Sequence, residues 1–268
     1  MPASSAAVFS ANGRRRERGP QSFRVALRRR GHVIRPMKVA FISGTSIVNS
    51  DLFAKWEVRT IETAYGPVTY KTRGDHALIN RHGYAVPLPP HSINYRANLR
   101  ALADLGFQDV VSLNSVGSLK PELPPGTFVS CSDYVGLQQG PATYFDQELK
   151  GGAPGIANNL IPLLVKKLAP EFKIHPGKTY VQMRGPRFET KAEVRIVKEW
   201  GDVIGMTAAH EADLCTELGL RYNSLALIDN FANGLARTEV DFAKFKKLVR
   251  ANQRKVNRLF ARMLKILA

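Results

Sequence analysis

Short apolar runs that stop abruptly at polar turns constrain this chain more than any other feature. Residues 39–42 run into Ser43-Gly44-Thr45-Ser46, and residues 110–113 into Asn114-Ser115-Val116-Gly117-Ser118. Residues 203–204 run into Gly205-Met206-Thr207, and residues 225–228 into Asp229-Asn230. Runs this short and this apolar read as buried strands, each delivering the chain to a loop. Residues 68–70 and 77–79 read as two more, the second ending at Asn80-Arg81-His82-Gly83. Between them the apolar spacing becomes helical. Leu99, Leu102 and Leu105 recur within residues 94–105 before Gly106, and residues 156–168 show the same period. Thr190 and Glu193 form a capping-box pattern ahead of Val194, Val197 and Trp200. Residues 208–218 follow Thr207 as N-cap and close at Gly219. Thr238 and Asp241 open a long amphipathic helix with Phe245, Leu248, Val249, Val256, Leu259, Phe260 and Met263 on its apolar positions. Alternating strands and helices predict an α/β fold, a sheet covered on both sides.

With 268 residues the chain can bury the core of one large domain, and no break in composition divides it. No apolar run approaches the roughly 18 residues of a membrane span, so no membrane association is expected. Cys131 and Cys215 have no Cys or His neighbours at metal-ligand spacing, which argues against a disulfide framework and a zinc site and fits a reducing cytoplasm. The net charge of +17 would suggest nucleic acid, but its distribution weakens that reading. Residues 1–36 hold nine arginines against the single acid Glu17, so about half of the surplus sits in a Ser-, Gly- and Arg-rich leader without apolar periodicity. Such a segment is expected to be disordered. It can be an extension upstream of a natural start at Met37, a transit peptide or a nucleic-acid arm; the first is favoured because Met37-Lys38-Val39 opens directly as a buried strand. The domain proper is expected at 37–268.

In open α/β sheets ligands gather at the carboxyl ends of strands, where the loops at Thr45, Arg81, Ser115, Thr207 and Asn230 all lie. Each alone is an ordinary turn, since Gly, Ser, Thr and Asn favour turns for conformational reasons. Arg81 alone is a surface ion-pair arginine, His82 a structural histidine, Phe188 and Met206 core residues. Together with Arg184-Gly185-Pro186-Arg187-Phe188-Glu189 they offer an aromatic face, a carboxylate, hydroxyls, a cation and an amide, the set a purine nucleoside pocket requires. The turn after residue 42 lacks the lysine and spacing of a Walker loop, so a nucleoside triphosphate is not implied.

Four separated segments occur in the order found in one family: Asn80-Arg81-His82-Gly83, Asn94-Tyr95-Arg96-Ala97-Asn98, Gly185-Pro186-Arg187-Phe188-Glu189-Thr190, and Gly205-Met206-Thr207 with Glu211-Ala212. The chain resembles the trimeric purine nucleoside phosphorylases and methylthioadenosine phosphorylases from about Val39 to the last helix. The resemblance implies a mixed, twisted, partly barrel-like sheet flanked by helices, a homotrimer acting on small molecules rather than nucleic acid, and no metal or organic cofactor. It implies phosphorolysis of a purine nucleoside by inorganic phosphate as co-substrate. Thr45, Arg81, His82, Ser115 and Thr207 would then hold phosphate, with the helix N-terminus at Thr207 contributing. Phe188, Glu189, Met206, Asn230, Ala232 and Phe245 would hold the nucleoside. His82 and Asn230 would be catalytic. A held anion stabilises the oxocarbenium-like charge that develops on the sugar while standing ready to attack it.

Base specificity follows from hydrogen-bond polarity. Glu189 can accept from the N1–H of a 6-oxopurine, while the Asn230 amide can donate to O6 and accept from N7–H. Methylthioadenosine enzymes usually carry aspartate at the Asn230 position; Asp229 is adjacent but one residue out of register and is a secondary candidate. In two places the chain departs from the family. Tyr84-Ala85-Val86 stands where relatives commonly place another histidine, and Phe245 where 6-oxopurine enzymes tend to use a histidine for the 5′-hydroxyl. The second favours a 5′-methylthio group, which raises methylthioinosine as substrate. Methylthioadenosine phosphorylase, a nucleoside binder without catalysis and nucleic-acid binding through the leader are the competing readings.

Overall fold

The computed structural model describes residues 37–268 apart from 45–46, 48–49, 138–142 and 237–241. The leader 1–36, Thr45, Thr238 and Asp241 therefore lie outside the described residues. Nine strands are described: β1 (Val39–Ser43), β2 (Glu57–Ile61), β3 (Val68–Arg73), β4 (His76–Asn80), β5 (Asp109–Ser118), β6 (Phe128–Val135), β7 (Ile174–Gln182), β8 (Val203–Gly205) and β9 (Arg221–Phe231). Five helices accompany them: α1 (Tyr95–Asp104), α2 (Ile161–Leu168), α3 (Lys191–Val197), α4 (Ala208–Glu217) and α5 (Phe242–Leu267).

The strands form one sheet in the order β2-β3-β4-β1-β5-β8-β7-β6-β9, and β9 returns to pair with β5. Five strands thus close into a barrel, and β1 to β4 extend it as a wing. The sheet is mixed, as expected: β1 runs parallel to β4 and β5, while β5 meets β8 antiparallel. β1 is apolar up to its last residue, Ser43, because it is flanked on both edges and covered on both faces; all five of its residues are buried. One face packs Phe41, Val111 and Leu225 against Phe260 and Met263 of α5 and Leu164 of α2. The other packs Ile42, Ile79 and Val110 with Leu99 and Leu102 of α1 and Leu214 of α4. Each such fully buried side chain contributes roughly 1.5–3 kcal/mol of apolar transfer.

Local signals set most element ends. The Asn94 side chain accepts from the Ala97 N–H at 3.0 Å to start α1, and Gly106 at φ 73° ends it. The Thr190/Glu193 capping box starts α3, which stops at Val197, so Trp200 lies beyond it and is 40% exposed instead of facing the core. The helix expected from residue 156 begins only at Ile161. Asn158 has φ 47° and its side chain bonds Cys131 O and the Ser224 N–H, which fixes residues 156–160 as loop. Three strands escape the sequence pattern. β2 is mostly exposed, β7 contains Pro176-Gly177, and the β6–β7 ladder shifts register twice, so none shows a clean period of two.

Candidate active site

At the carboxyl ends of β4, β5, β8 and β9 lies a cavity of about 370 Å³, the size of a small-ligand site. It is lined by Arg81, His82, Ser115, Phe188, Glu189, Met206, Thr207, Asn230, Ala232 and Phe245, so every expected site residue except the undescribed Thr45 reaches it. Val86 does not: it is 73% exposed, and the wall there is made by residues 87–90. Asp229 does not line the cavity either, which removes it as a base contact.

Arg81 is built in, not reaching out. Its guanidinium donates to Glu211 through Nε at 2.6 Å and Nη2 at 3.3 Å, to Ser112 Oγ at 2.7 Å and to Leu113 O at 3.1 Å. Both side chains of the pair are at most 2% exposed. Burial works against the Arg81 cation, but the Glu211 charge and hydrogen bonds more than offset it, so its pKa lies above the usual value. The expected free cation is therefore neutralised by its partner. What Arg81 still offers is the second N–H of Nη1, beside Gly44. A Cβ on Gly44 would lie 2.8 Å from the His82 ring and 3.1 Å from Arg81 Nη1, so glycine there lets the backbone close on both side chains. His82 Nδ1 bonds Leu88 O at 2.7 Å. Burial, then Arg81, lowers the His82 pKa, so the ring is neutral with Nδ1–H committed and the Nε2 lone pair on the Gly44 side. Such a nitrogen accepts the P–O–H proton of hydrogen phosphate.

Thr207 occupies the N-cap position of α4 but does not cap with its side chain. Tyr180 Oη accepts from the Thr207 and Ala208 N–H groups, and Gln182 Oε1 from Ala209 N–H. Three N–H groups of the helix terminus expected to cradle phosphate are thus taken up from β7, and Thr207 enters the site through its hydroxyl, oriented by a 2.9 Å bond from Asn114 Nδ2. Ser115 donates its hydroxyl proton to Asp229, whose other oxygen accepts from Asn252 of α5 at 2.7 Å. An anion would therefore meet lone pairs at Ser115, contrary to the donor expected there.

At the other end, Phe188 and Phe245 meet edge to face at 5.7 Å. Gly185, at φ 63°, lies so close to Met206 that a Cβ would sit 2.5 Å from its sulfur. Tyr95 Oη ties the 87–90 wall to Met206 by sharing its one proton between Pro90 O at 3.1 Å and Met206 O at 3.3 Å. Glu189 is 6% exposed, and burial pushes its carboxyl upward. The Asn230 Nδ2 donates to Phe231 O at 2.8 Å, which turns Oδ1 away from that carbonyl as an acceptor. Sequence reasoning had missed Ser112, Asn114, Tyr180, Gln182 and Asn252, and had given Glu211 no role. Only Glu211 left a trace, as the one acid among the buried Ala, Leu and Cys positions of α4.

Residues 38–265 match the family model of the phosphorylase superfamily. The chain is 38% identical over 209 residues to a probable S-methyl-5′-thioinosine phosphorylase of Methanocaldococcus jannaschii, covering 74% of this chain and 81% of that one. It is 34% identical over 222 residues to a probable 6-oxopurine nucleoside phosphorylase of Archaeoglobus fulgidus, covering 81% and 91%. Methylthioadenosine phosphorylase of Schistosoma mansoni, solved with adenine, superposes with a TM-score of 0.75 at 25% identity, over 86% of this chain and 92% of that one. The chain belongs to the phosphorylase superfamily, within its branch of purine nucleoside and methylthioadenosine phosphorylase enzymes.

Proposed function

We propose that this enzyme cleaves 6-oxopurine nucleosides with inorganic phosphate, giving the free base and a sugar 1-phosphate, and that it accepts a 5′-methylthio group on the sugar. The observation that carries the base preference is that Glu189 and Asn230 both line this one cavity. Glu189 is the only carboxylate among the described lining residues, and Ala232 beside Asn230 brings no second one. A carboxylate accepts from N1–H and cannot donate to the bare N1 of adenine unless protonated, while Asn230 Oδ1 accepts from N7–H as the base departs. The edge-to-face Phe188–Phe245 pair and the proline-rich wall at 87–90 favour an apolar 5′ substituent.

In this reading phosphate sits between Arg81 Nη1, His82 Nε2 and the Thr207 hydroxyl, and no metal or organic cofactor takes part. The enzyme is a cytoplasmic homotrimer without nucleic-acid partners; no described helix is long and apolar enough to cross a membrane. Methylthioadenosine phosphorolysis is the second reading, supported by the likeness to the Schistosoma mansoni enzyme. Incubation with inosine, guanosine, methylthioinosine and methylthioadenosine, with and without phosphate, separates the two. Phosphate-dependent release of hypoxanthine, fastest from methylthioinosine, is expected. Turnover of methylthioadenosine alone would overturn the assignment of Glu189 and Asn230.

A further inference from the structure

We propose that Ser115 is the acceptor for a ribose hydroxyl of the nucleoside, and that buried Asp229, held by Asn252 of α5, fixes it in that role. The inference rests on the nucleoside reading above. Asp229 is 1% exposed, and both of its oxygens are occupied, one by the Ser115 hydroxyl and one by the Asn252 amide at 2.7 Å. A carboxylate only accepts, so the Ser115 proton is committed to it and the serine has only lone pairs left for the cavity it lines. Those lone pairs, backed by a carboxylate, repel a phosphate oxygen and attract an O–H or N–H.

Position along β5 decides which donor arrives. Asn114 bonds Thr207 at the phosphate end of the cavity. Gly117 approaches Asn230 at the base end, where a Cβ would lie 3.5 Å from the amide nitrogen. Ser115 is in the strand between them, within a stretch of about 10 Å at roughly 3.3 Å per residue. The N1–H and N7–H of the base have partners in Glu189 and Asn230, so the donors left over at this level are the sugar hydroxyls. Asp229 does not touch the ligand and acts as a positioning residue.

The test compares phosphorolysis of inosine, 2′-deoxyinosine and 3′-deoxyinosine by the full-length protein and its S115A, S115T and D229N variants at saturating phosphate. One of the two deoxy analogues is expected to lose roughly 10- to 100-fold in kcat/KM with the native enzyme, the range of a hydrogen bond with charged character. S115A should bring that ratio close to one, chiefly by slowing inosine, S115T should restore it, and D229N should reduce it in part. A structural role alone would lower all three substrates together and leave the ratio intact, which overturns the proposal, as does a native enzyme indifferent to both hydroxyls. A raised KM for phosphate in S115A with an unchanged ratio would return Ser115 to the anion. If the native protein cleaves no purine nucleoside, the functional reading falls and this proposal with it; if inosine is cleaved but the ratio is unmoved by S115A, only the proposal falls.

Discussion

Glu211→Gln tests whether Arg81 is held by charge or only by shape. Glu211 accepts from Arg81 Nε and Nη2, from Ser112 Oγ at 2.7 Å and from Tyr222 Oη at 2.8 Å, all deep in the protein. Glutamine keeps the volume but removes the charge, leaving the guanidinium uncompensated at 2% exposure. Breaking a buried pair from one side costs about 3–5 kcal/mol. At roughly 2–4 °C per kcal/mol for a domain of this size, the melting temperature should fall by about 6–20 °C in phosphate-free buffer. The uncompensated charge should also attract phosphate. For an anion about 5 Å away at an effective dielectric of about 20, each unit charge contributes on the order of 3 kcal/mol. Saturating phosphate should therefore raise the melting temperature of E211Q by clearly more than that of the native enzyme. The double variant R81Q/E211Q should recover part of the stability and lose this extra phosphate effect. Calorimetric scans with and without phosphate read all three. An E211Q protein that melts within about 2 °C of native and gains no more from phosphate would refute the account of Arg81 as a neutralised, scaffolded donor.

Gly44→Ala should push the His82 ring aside and weaken phosphate binding at least roughly tenfold with little change in melting, since the nearest atoms its Cβ would meet, at 2.8–3.1 Å, belong to the His82 and Arg81 side chains; an unchanged phosphate KM would contradict it. Phe245→Ala should raise KM for methylthioinosine about tenfold while changing inosine less, because the edge-to-face partner of Phe188 is lost; equal effects on both would remove Phe245 from the 5′ end. Acid should destabilise the fold. His76, His82 and His210 all have lowered pKa values, in each case chiefly from burial, so below pH about 6.5 the unfolded chain takes up protons that the native state refuses. Stability is then lost as pH falls through that window, by up to about 1.4 kcal/mol per pH unit for each histidine. Glu189 and Asp229, raised by burial, act in the opposite direction further into acid. Denaturant midpoints at pH 7.5 and 6 that coincide would show the histidines to be unperturbed.

Much of this site could be read from the chain because its pieces sit where strands end, and a buried strand such as β1 announces itself by an unbroken apolar run. Phe188, Glu189 and Met206 lie in loops and Asn230 next to the last residue of β9, and their polar or aromatic character serves no obvious turn geometry, which makes them conspicuous. The partners that set their chemistry are not conspicuous. Glu211 is 130 residues from Arg81 and Asn252 is 23 from Asp229, and nothing in local spacing announces either bond. Polarity was lost for the same reason: that Ser115 gives its proton away, and that Tyr180 and Gln182 occupy the α4 amides, follows only from the packing of β5 and β7 against their neighbours. β7 hides further because Pro176-Gly177 interrupts it at a ladder irregularity, where a strand reading would stop.

The closing helix ties the two ends of the domain together. Met37 N–H donates to Leu267 O, so the backbone just ahead of β1 is clipped to the last turn of α5, while the opposite end of the same 26-residue rod carries Phe245 to the lining of the cavity. A few residues trimmed or fused at Ala268 would thus be felt about 33 Å away, at 1.5 Å per helical residue, as a change in how the thioether end of a nucleoside is gripped.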